Sequence, residues 1–173
     1  MTQPPLDLDW TFIYGGSTNY RSHDLTEVDA HRLEFRPSTQ PTLFGWLVVL
    51  LSGAYLLYFI RTPAQHKAAI GVCLALMIVG IFAFLLSEVH VFDRHQGFYS
   101  GRRQAQAAKP LDQILAVQVL YGTARSFRVA QMNLCLKDRT RRLIICHADR
   151  NALYKEAQRL AVFLNVPFVT VDR

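Results

Sequence analysis

Two long apolar runs without a charged residue dominate the pattern of hydrophobic and polar positions. The first run, Leu43 to Ile60, has 18 residues, and the second, Ala68 to Leu86, has 19. At about 1.5 Å of rise per residue, each run forms a helix of roughly 27–29 Å, close to the roughly 30 Å hydrocarbon core of a bilayer. The sequence therefore predicts two transmembrane helices, at 43–60 and 68–86.

The connection between the runs is only the seven residues Arg61 to Lys67, which include Pro63. So short a loop predicts an antiparallel hairpin whose two flanks lie on one side of the membrane. The flanks carry five basic residues, Arg32, Arg36, Arg94, Arg102 and Arg103, and the loop carries two, Arg61 and Lys67. Because cytoplasmic segments are enriched in Lys and Arg, this distribution predicts both termini in the cytoplasm.

The N-terminal segment, residues 1–42, contains two strand-like pieces at 19–28 and 31–36, with a turn at Asp29–Ala30. Leu33 and Phe35 alternate with charged neighbours, a pattern typical of a half-buried strand. A lone hairpin is barely stable in water. We therefore expect this hairpin to join a sheet formed by the C-terminal part of the chain.

The C-terminal segment, residues 87–173, has the pattern of several short strands. The predicted strands are 88–93, 98–103, 114–121, 130–136 and 141–146. Gly122–Thr123 is expected to end the third of them. In the fourth, Gln131, Asn133 and Cys135 alternate with apolar residues, which predicts a half-buried strand.

The last element has helical spacing from Leu153 to Leu164, with Asp149 as a candidate N-cap. Asn165 and Pro167 are expected to stop this helix, and 166–171 to return as a short extended piece. Strands followed by one helix predict a bent antiparallel sheet that the helix closes.

Three stretches of the chain resemble bacterial pleckstrin-homology-like (PH-like) membrane proteins. They are Val-Phe-Asp-Arg at 91–94 with Gly97, the segment 110–118, and the segment 156–167. The resemblance covers about residues 43–170. It implies a membrane α+β fold, in which a two-helix transmembrane hairpin carries a PH-like antiparallel β-sheet domain capped by a C-terminal α-helix, in the bacterial inner membrane. It implies no shared activity and no lipid site.

Composition and charge narrow the class of protein. Apolar residues make up 51% of the chain and charged residues 18%, against about 25% charged in a typical soluble domain. This excludes a simple soluble globular protein, a disordered chain and a disulfide-stapled scaffold. The net charge of +6 fits either an anionic partner or the enrichment in Lys and Arg expected of cytoplasmic segments.

Candidate chemistry is sparse in the predicted spans. Neither span contains Asp, Glu, Lys, Arg or His, which argues against a transporter core or a haem-bearing subunit. Gly71, Ala75 and Gly80 are candidates for a close helix-packing face. Packing against the first span of the same chain is favoured over packing against another protein.

Histidine and cysteine residues show no catalytic or metal-binding pattern. No pair of the six histidines has the spacing of a known metal motif. We therefore expect the histidines to lie at the surface or at interfaces. We expect no bound metal and no other cofactor. The three cysteines are an odd number, which favours reduced thiols. Cys135 and Cys146 are expected on neighbouring strands, as small core or edge residues. The chain is therefore not expected to be an enzyme.

The basic residues form two groups. One is Arg102, Arg103 and Lys109, and the other is Lys137, Arg139, Arg141 and Arg142 on a predicted hairpin turn. The candidate contacts to lipid headgroups or a partner are Arg102, Arg103, Arg139, Arg141 and Arg142. The alternative is a solvated turn with the ordinary cytoplasmic bias.

Together these features predict a non-catalytic membrane protein whose PH-like domain mediates interaction or assembly. The partners expected are membrane lipids and another protein or further copies of the chain, and no nucleic acid, because no recognition motif accompanies the charge. An anionic-lipid-surface binding module is the alternative, and an uncharacterised membrane enzyme the third possibility.

Overall fold

The computed structural model describes residues 8–12, 21–61, 67–85, 89–101, 108–124 and 127–171. In these residues the chain has an α+β fold with three α-helices and two β-sheets. It divides into two compact units, a β-rich unit formed by 1–36 with 89–173 and a helical unit formed by 37–88.

The helical unit contains α1, Thr39–Arg61, and α2, Lys67–Leu85. Within the described ranges, α1 is the one helix long and apolar enough to cross a membrane by length and composition. Its window Thr42–Phe59 has a mean hydropathy of 1.8 and is only 6% buried, unlike the core helix of a soluble protein. The apolar stretch of α2, Ala68–Ile81, is shorter.

The first sheet of the β-rich unit has the order β1-β2-β3-β4-β5. Its strands are β1 (His23–Asp29), β2 (Arg32–Pro37), β3 (His90–Asp93), β4 (Phe98–Gly101) and β5 (Lys109–Pro110). The N-terminal hairpin belongs to this sheet, because β2 pairs antiparallel with β3 and Phe35 lies opposite His90. The helical unit is therefore inserted in the chain between two neighbouring strands.

The second sheet has the order β8-β7-β6-β9. Its strands are β6 (Ile114–Ala124), β7 (Phe127–Leu136), β8 (Arg141–His147) and β9 (Phe168–Val171). All its pairs are antiparallel except β6 with β9, which is parallel. Two sheets thus replace the single bent sheet that the sequence predicts. The predicted break at Gly122–Thr123 is wrong, since β6 continues to Ala124.

The C-terminal helix α3, Arg150–Leu164, begins and ends as predicted. The Asp149 carboxylate accepts a hydrogen bond from the backbone N–H of Ala152 at 3.0 Å, which confirms the N-cap. Asn165 ends the helix in the left-handed conformation, with φ of 55°. One face of α3 enters the core through its buried apolar residues, Leu153, Ala157, Leu160 and Ala161.

One core joins both sheets and α3. Phe35 and Phe92 from the first sheet meet Met132 and Leu134 from the second in the same buried cluster. These four side chains are completely buried. The outer face of the second sheet points away from this core. Residues 8–12 contact that face, and the contacts form the candidate site.

Candidate peptide-binding face of the second sheet

The polar face of β7 is buried, which corrects the prediction of a half-buried strand. Met132 and Leu134 point into the core, as expected. The alternating residues Gln131 and Asn133 are also completely buried, and Cys135 is 2% exposed. Alternation along a strand reports which face is polar, but it does not report whether that face is covered.

Residues 8–12, which we call the strap, lie over this outer face. Phe12 packs with Val129 and Cys146 in a second, smaller apolar cluster. A Cβ atom added to Gly122 would lie 2.8 Å from a carbon of the Phe12 ring. Gly122 therefore leaves room for the ring inside a continuous strand, a known use of glycine in strands. We call the covered surface, formed around Gln118, Gly122, Gln131, Asn133 and Arg141, the strap face.

A row of side-chain amides crosses the strap face and ends on the strap. The Gln131 amide donates to Asn133 at 2.6 Å, and the Asn133 amide donates to Gln118 at 3.2 Å. The Gln118 amide then donates to the backbone carbonyl of Asp9 at 3.0 Å. The row satisfies polar groups whose burial without partners is unfavourable.

Arg141 makes the densest set of contacts with the strap. Its side chain is only 8% exposed. Nη1 donates to the carbonyl oxygen of Thr11 at 2.8 Å and to Gln118 Oε1 at 3.4 Å. Nη2 donates to Asp9 Oδ2 at 2.8 Å and to the Thr11 hydroxyl at 3.0 Å. One guanidinium thus contacts a backbone carbonyl, a hydroxyl and a carboxylate of the same segment.

The strap also has an internal polar turn. The backbone N–H and the hydroxyl of Thr11 donate to Asp9 Oδ1 at 2.9 and 2.8 Å. These hydrogen bonds, followed by the attraction of Arg141, lower the pKa of Asp9 below its usual value. Asp9 is therefore ionised at neutral pH and presents a carboxylate to Arg141.

The predicted basic residues are divided among different environments. Arg141 belongs to the strap face, whereas Arg139 is exposed in the turn after β7, with a positive φ of 63°. Arg142 is half-buried on β8. Lys109 forms an ion pair with the same turn, where its Nζ lies 3.2 Å from Asp138 Oδ2. Arg102 and Arg103 lie outside the described residues.

The predicted helix-packing residues are likewise divided. A Cβ atom added to Gly80 would lie 2.7 Å from Val49 Cγ2 of α1, so Gly80 is a point of close helix contact. No atom lies within 4 Å of the corresponding position at Gly71, which is exposed, as is Ala75.

A buried ionic contact links the N-terminal segment to α3. Glu156, 4% exposed, is paired with Arg21 and accepts the backbone N–H of Leu25 at 3.3 Å. Burial raises the pKa of Glu156, and the hydrogen bond and charge of Arg21 oppose this rise. Sequence reasoning missed this contact, because nothing local to Glu156 distinguishes it from an exposed helical carboxylate.

Two of the histidines and the three cysteines are buried. His90 and His147 lie inside the β-rich unit rather than on its surface. Burial raises the pKa of Cys135 and of Cys146 to about 11 in each case, which keeps both thiols protonated. Across the described ranges, no group of three or more His, Cys, Asp or Glu residues is placed to hold a metal ion.

No family model and no curated protein matches this chain.

Proposed function

We propose that the chain is a non-catalytic membrane protein in which a PH-like domain, carried by a two-helix transmembrane hairpin, mediates protein interaction or assembly. The observation that carries this proposal is the strap face. There, buried side chains of one sheet hold a short segment of polypeptide through its backbone carbonyls and side chains. A segment of another protein offers the same backbone carbonyls to these side chains.

The pairing of β2 with β3 supports the transmembrane hairpin. Phe35 and His90 are opposite each other in one sheet, so their Cα atoms are only about 5 Å apart. The chain must therefore leave and return on the same side of any bilayer that it crosses. The pairing favours a return through α2 over a single crossing by α1. The basic flanks support a cytoplasmic location for the β-rich unit, and the resemblance to bacterial PH-like membrane proteins supports the inner membrane as its site.

The architecture of the β-rich unit supports the PH-like assignment. Two sheets share one core, and the single helix α3 packs into that core after the last antiparallel strand. The polar groups at the strap face are engaged in holding polypeptide, and the buried thiols are protonated. Both features favour an interaction role over catalysis.

Anionic-lipid binding is the second candidate function. Lys137 and Arg139 are exposed at the turn between β7 and β8. Basic residues near an anionic surface contribute about 1 kcal/mol each. The contribution of Arg141 to such a surface is reduced, because its guanidinium is already engaged with Asp9.

Native mass spectrometry of the full chain, gently extracted from its own membranes, tests the proposal. We expect a stoichiometric second polypeptide that is lost in Arg141→Gln and retained in Arg139→Gln. Arg139 is the matched control, because it lies near Arg141 in sequence but outside the strap face. A lone chain with bound anionic lipid, lost in the variant Lys137→Gln/Arg139→Gln, would instead establish the lipid function.

A further inference from the structure

The strap contributes the same kinds of contact that a bound peptide would make. Gln118 and Arg141 bind the backbone carbonyls of Asp9 and Thr11 at 3.0 and 2.8 Å. Contacts to backbone carbonyls hold a segment in place but do not select its sequence. The face therefore has a general element of peptide recognition.

Three further contacts are selective for side-chain chemistry. Arg141 binds the Asp9 carboxylate at 2.8 Å and the Thr11 hydroxyl at 3.0 Å. The Phe12 ring lies against Gly122, at a position where any larger residue would meet the ring. Together they select an acidic residue, a hydroxyl two positions later and an aromatic residue directly after it.

The polarity of the strap face suits an exchangeable cover. A permanently covered face gains most from apolar residues, because buried amides contribute little beyond their hydrogen bonds. Gln118, Asn133 and Arg141 instead present groups that water can satisfy when the cover leaves. Within the strap, Asp9 and Thr11 are exposed and Phe12 is half-buried. Uncovering the face is therefore far less costly than opening the shared core.

On the basis of the proposed function, we propose that the strap face binds a segment of another protein with the pattern Asp-x-Thr-Phe, and that residues 9–12 occupy the face as an intramolecular competitor. The positive guanidinium of Arg141 beneath the segment matches the acidic residue of the pattern. A tethered segment has an effective concentration on the order of millimolar, so the strap suppresses weak or non-matching partners.

The test uses the full chain in detergent micelles and a fluorescent peptide with the sequence of residues 6–12, Leu-Asp-Leu-Asp-Trp-Thr-Phe. Fluorescence anisotropy measures its binding. The strap-weakened variant Asp9→Ala/Thr11→Ala is expected to bind the peptide at least tenfold more tightly than the unmodified chain. Adding Arg141→Gln to that variant should abolish the gain, whereas adding Arg139→Gln should preserve it.

A second variant keeps the test decisive if the Arg141 variant fails to fold. Gly122→Ala leaves Arg141 in place and introduces a Cβ atom 2.8 Å from the position of the Phe12 ring. In the strap-weakened background, it should weaken peptide binding at least tenfold. A peptide with Asn at the position of Asp9 should bind as poorly as the Arg141 variant does.

Equal binding to the unmodified and strap-weakened chains, or binding insensitive to both Arg141→Gln and Gly122→Ala, would overturn the inference. Arg141-dependent self-association of the full chain would also overturn it, because the occupant would then be a second copy. If the peptide fails to bind while native mass spectrometry still shows a stoichiometric partner, the proposed function stands and only this assignment of the partner's segment falls.

Discussion

His90 and His147 are neutral imidazoles inside the β-rich unit. Burial lowers the pKa of each from 6.5 to about 4. His90 Nδ1 lies 3.1 Å from the hydroxyl oxygen of Tyr99. For His147, neither ring nitrogen has a hydrogen-bond partner within the part of the chain that the structure describes. Both residues therefore favour the folded state only while they remain uncharged.

We expect acid to destabilise the β-rich unit between pH 6.5 and 4. In this window the unfolded chain binds protons that the folded chain excludes, so the free energy of unfolding falls as the pH falls. The lowering of each pKa from 6.5 to about 4 corresponds to about 3 kcal/mol per histidine.

Urea unfolding of the full chain at several pH values measures this effect. His147→Leu removes one of the two groups and should reduce the pH slope by about 1.4 kcal/mol per pH unit. His95→Gln is the control, because His95 is exposed, and it should leave the slope unchanged. An unaltered slope in His147→Leu would contradict the assignment.

Single residues also mark the limit of prediction from sequence. Asp149 and Asn165 make hydrogen bonds to residues only three or four positions away, and the sequence predicts both as the ends of α3. Arg141 was predicted only as one charge in a basic group. Its role depends on Asp9 and Thr11, more than 120 positions earlier, and no local pattern reports a contact at that separation.

At the scale of elements, α3 holds the N-terminal segment through two carboxylate–arginine pairs of contrasting burial. Glu156 is buried and pairs with Arg21. Glu27 Oε2 lies 3.7 Å from Arg159 Nη2, and the side chains of Glu27 and Arg159 are 61% and 55% exposed. The two pairs join the same parts of the fold, so they form a matched comparison of buried and exposed charge.

Glu156→Ala should destabilise the β-rich unit by about 2 kcal/mol, because it removes the buried acceptor of the Leu25 backbone N–H and one of the two carboxylates that pair with Arg21. Glu27→Ala should change the free energy of unfolding by less than about 0.5 kcal/mol, as is usual for exposed pairs. Urea unfolding at pH 7 compares the two. Equal effects would contradict the structural difference between them.

The helical unit offers a second comparison between elements. Gly80→Val should weaken the contact of α1 with α2 by about 1–3 kcal/mol, because Val49 Cγ2 occupies the space that a side chain would need. Gly71→Val meets no atom within 4 Å and should leave the contact intact. Val49→Ala combined with Gly80→Val should recover part of the loss.

Trp46 on α1 reports this contact by fluorescence in a Trp10→Phe background, since the chain has only two tryptophans. The sodium dodecyl sulfate concentration at the midpoint of denaturation should fall for Gly80→Val. It should stay unchanged for Gly71→Val. The same midpoint for both would contradict the packing.

Elements were predicted better than their arrangement. Helical spacing in α3 and alternation in β7 depend on neighbouring residues, and they predicted the element types. The extension of β6 through Gly122 was missed, because a glycine in a strand looks like a break until the ring of Phe12 is known to lie against it. The parallel pairing of β9 with β6 is likewise a tertiary feature.

For the whole molecule, the β-rich unit is interrupted in sequence but continuous in space. A fragment that starts near residue 88 lacks β1 and β2, and with them the core residues Leu25, Leu33 and Phe35. Burying three such side chains contributes roughly 5–9 kcal/mol, comparable with the entire stability of many domains, about 5–15 kcal/mol.

We expect the β-rich unit to fold without the helical unit when residues 38–88 are replaced by a short Gly- and Asn-containing hairpin loop. Such a loop suffices because Phe35 and His90 are already paired. The fragment 89–173 alone is the control and should be unfolded or aggregated. Amide dispersion in NMR spectra distinguishes the two, and a well-folded 89–173 fragment would contradict the role of β1 and β2.

The pairing of β2 with β3 also sets an order of events during synthesis. When β2 leaves the ribosome, its partner strand has not been made, because the whole helical unit lies between them in sequence. Roughly 50 residues at about 5–20 residues per second delay β3 by on the order of 3–10 s. For that interval the N-terminal hairpin has an unpaired edge and an uncovered apolar face, so it is open to pairing with other chains until β3 is made.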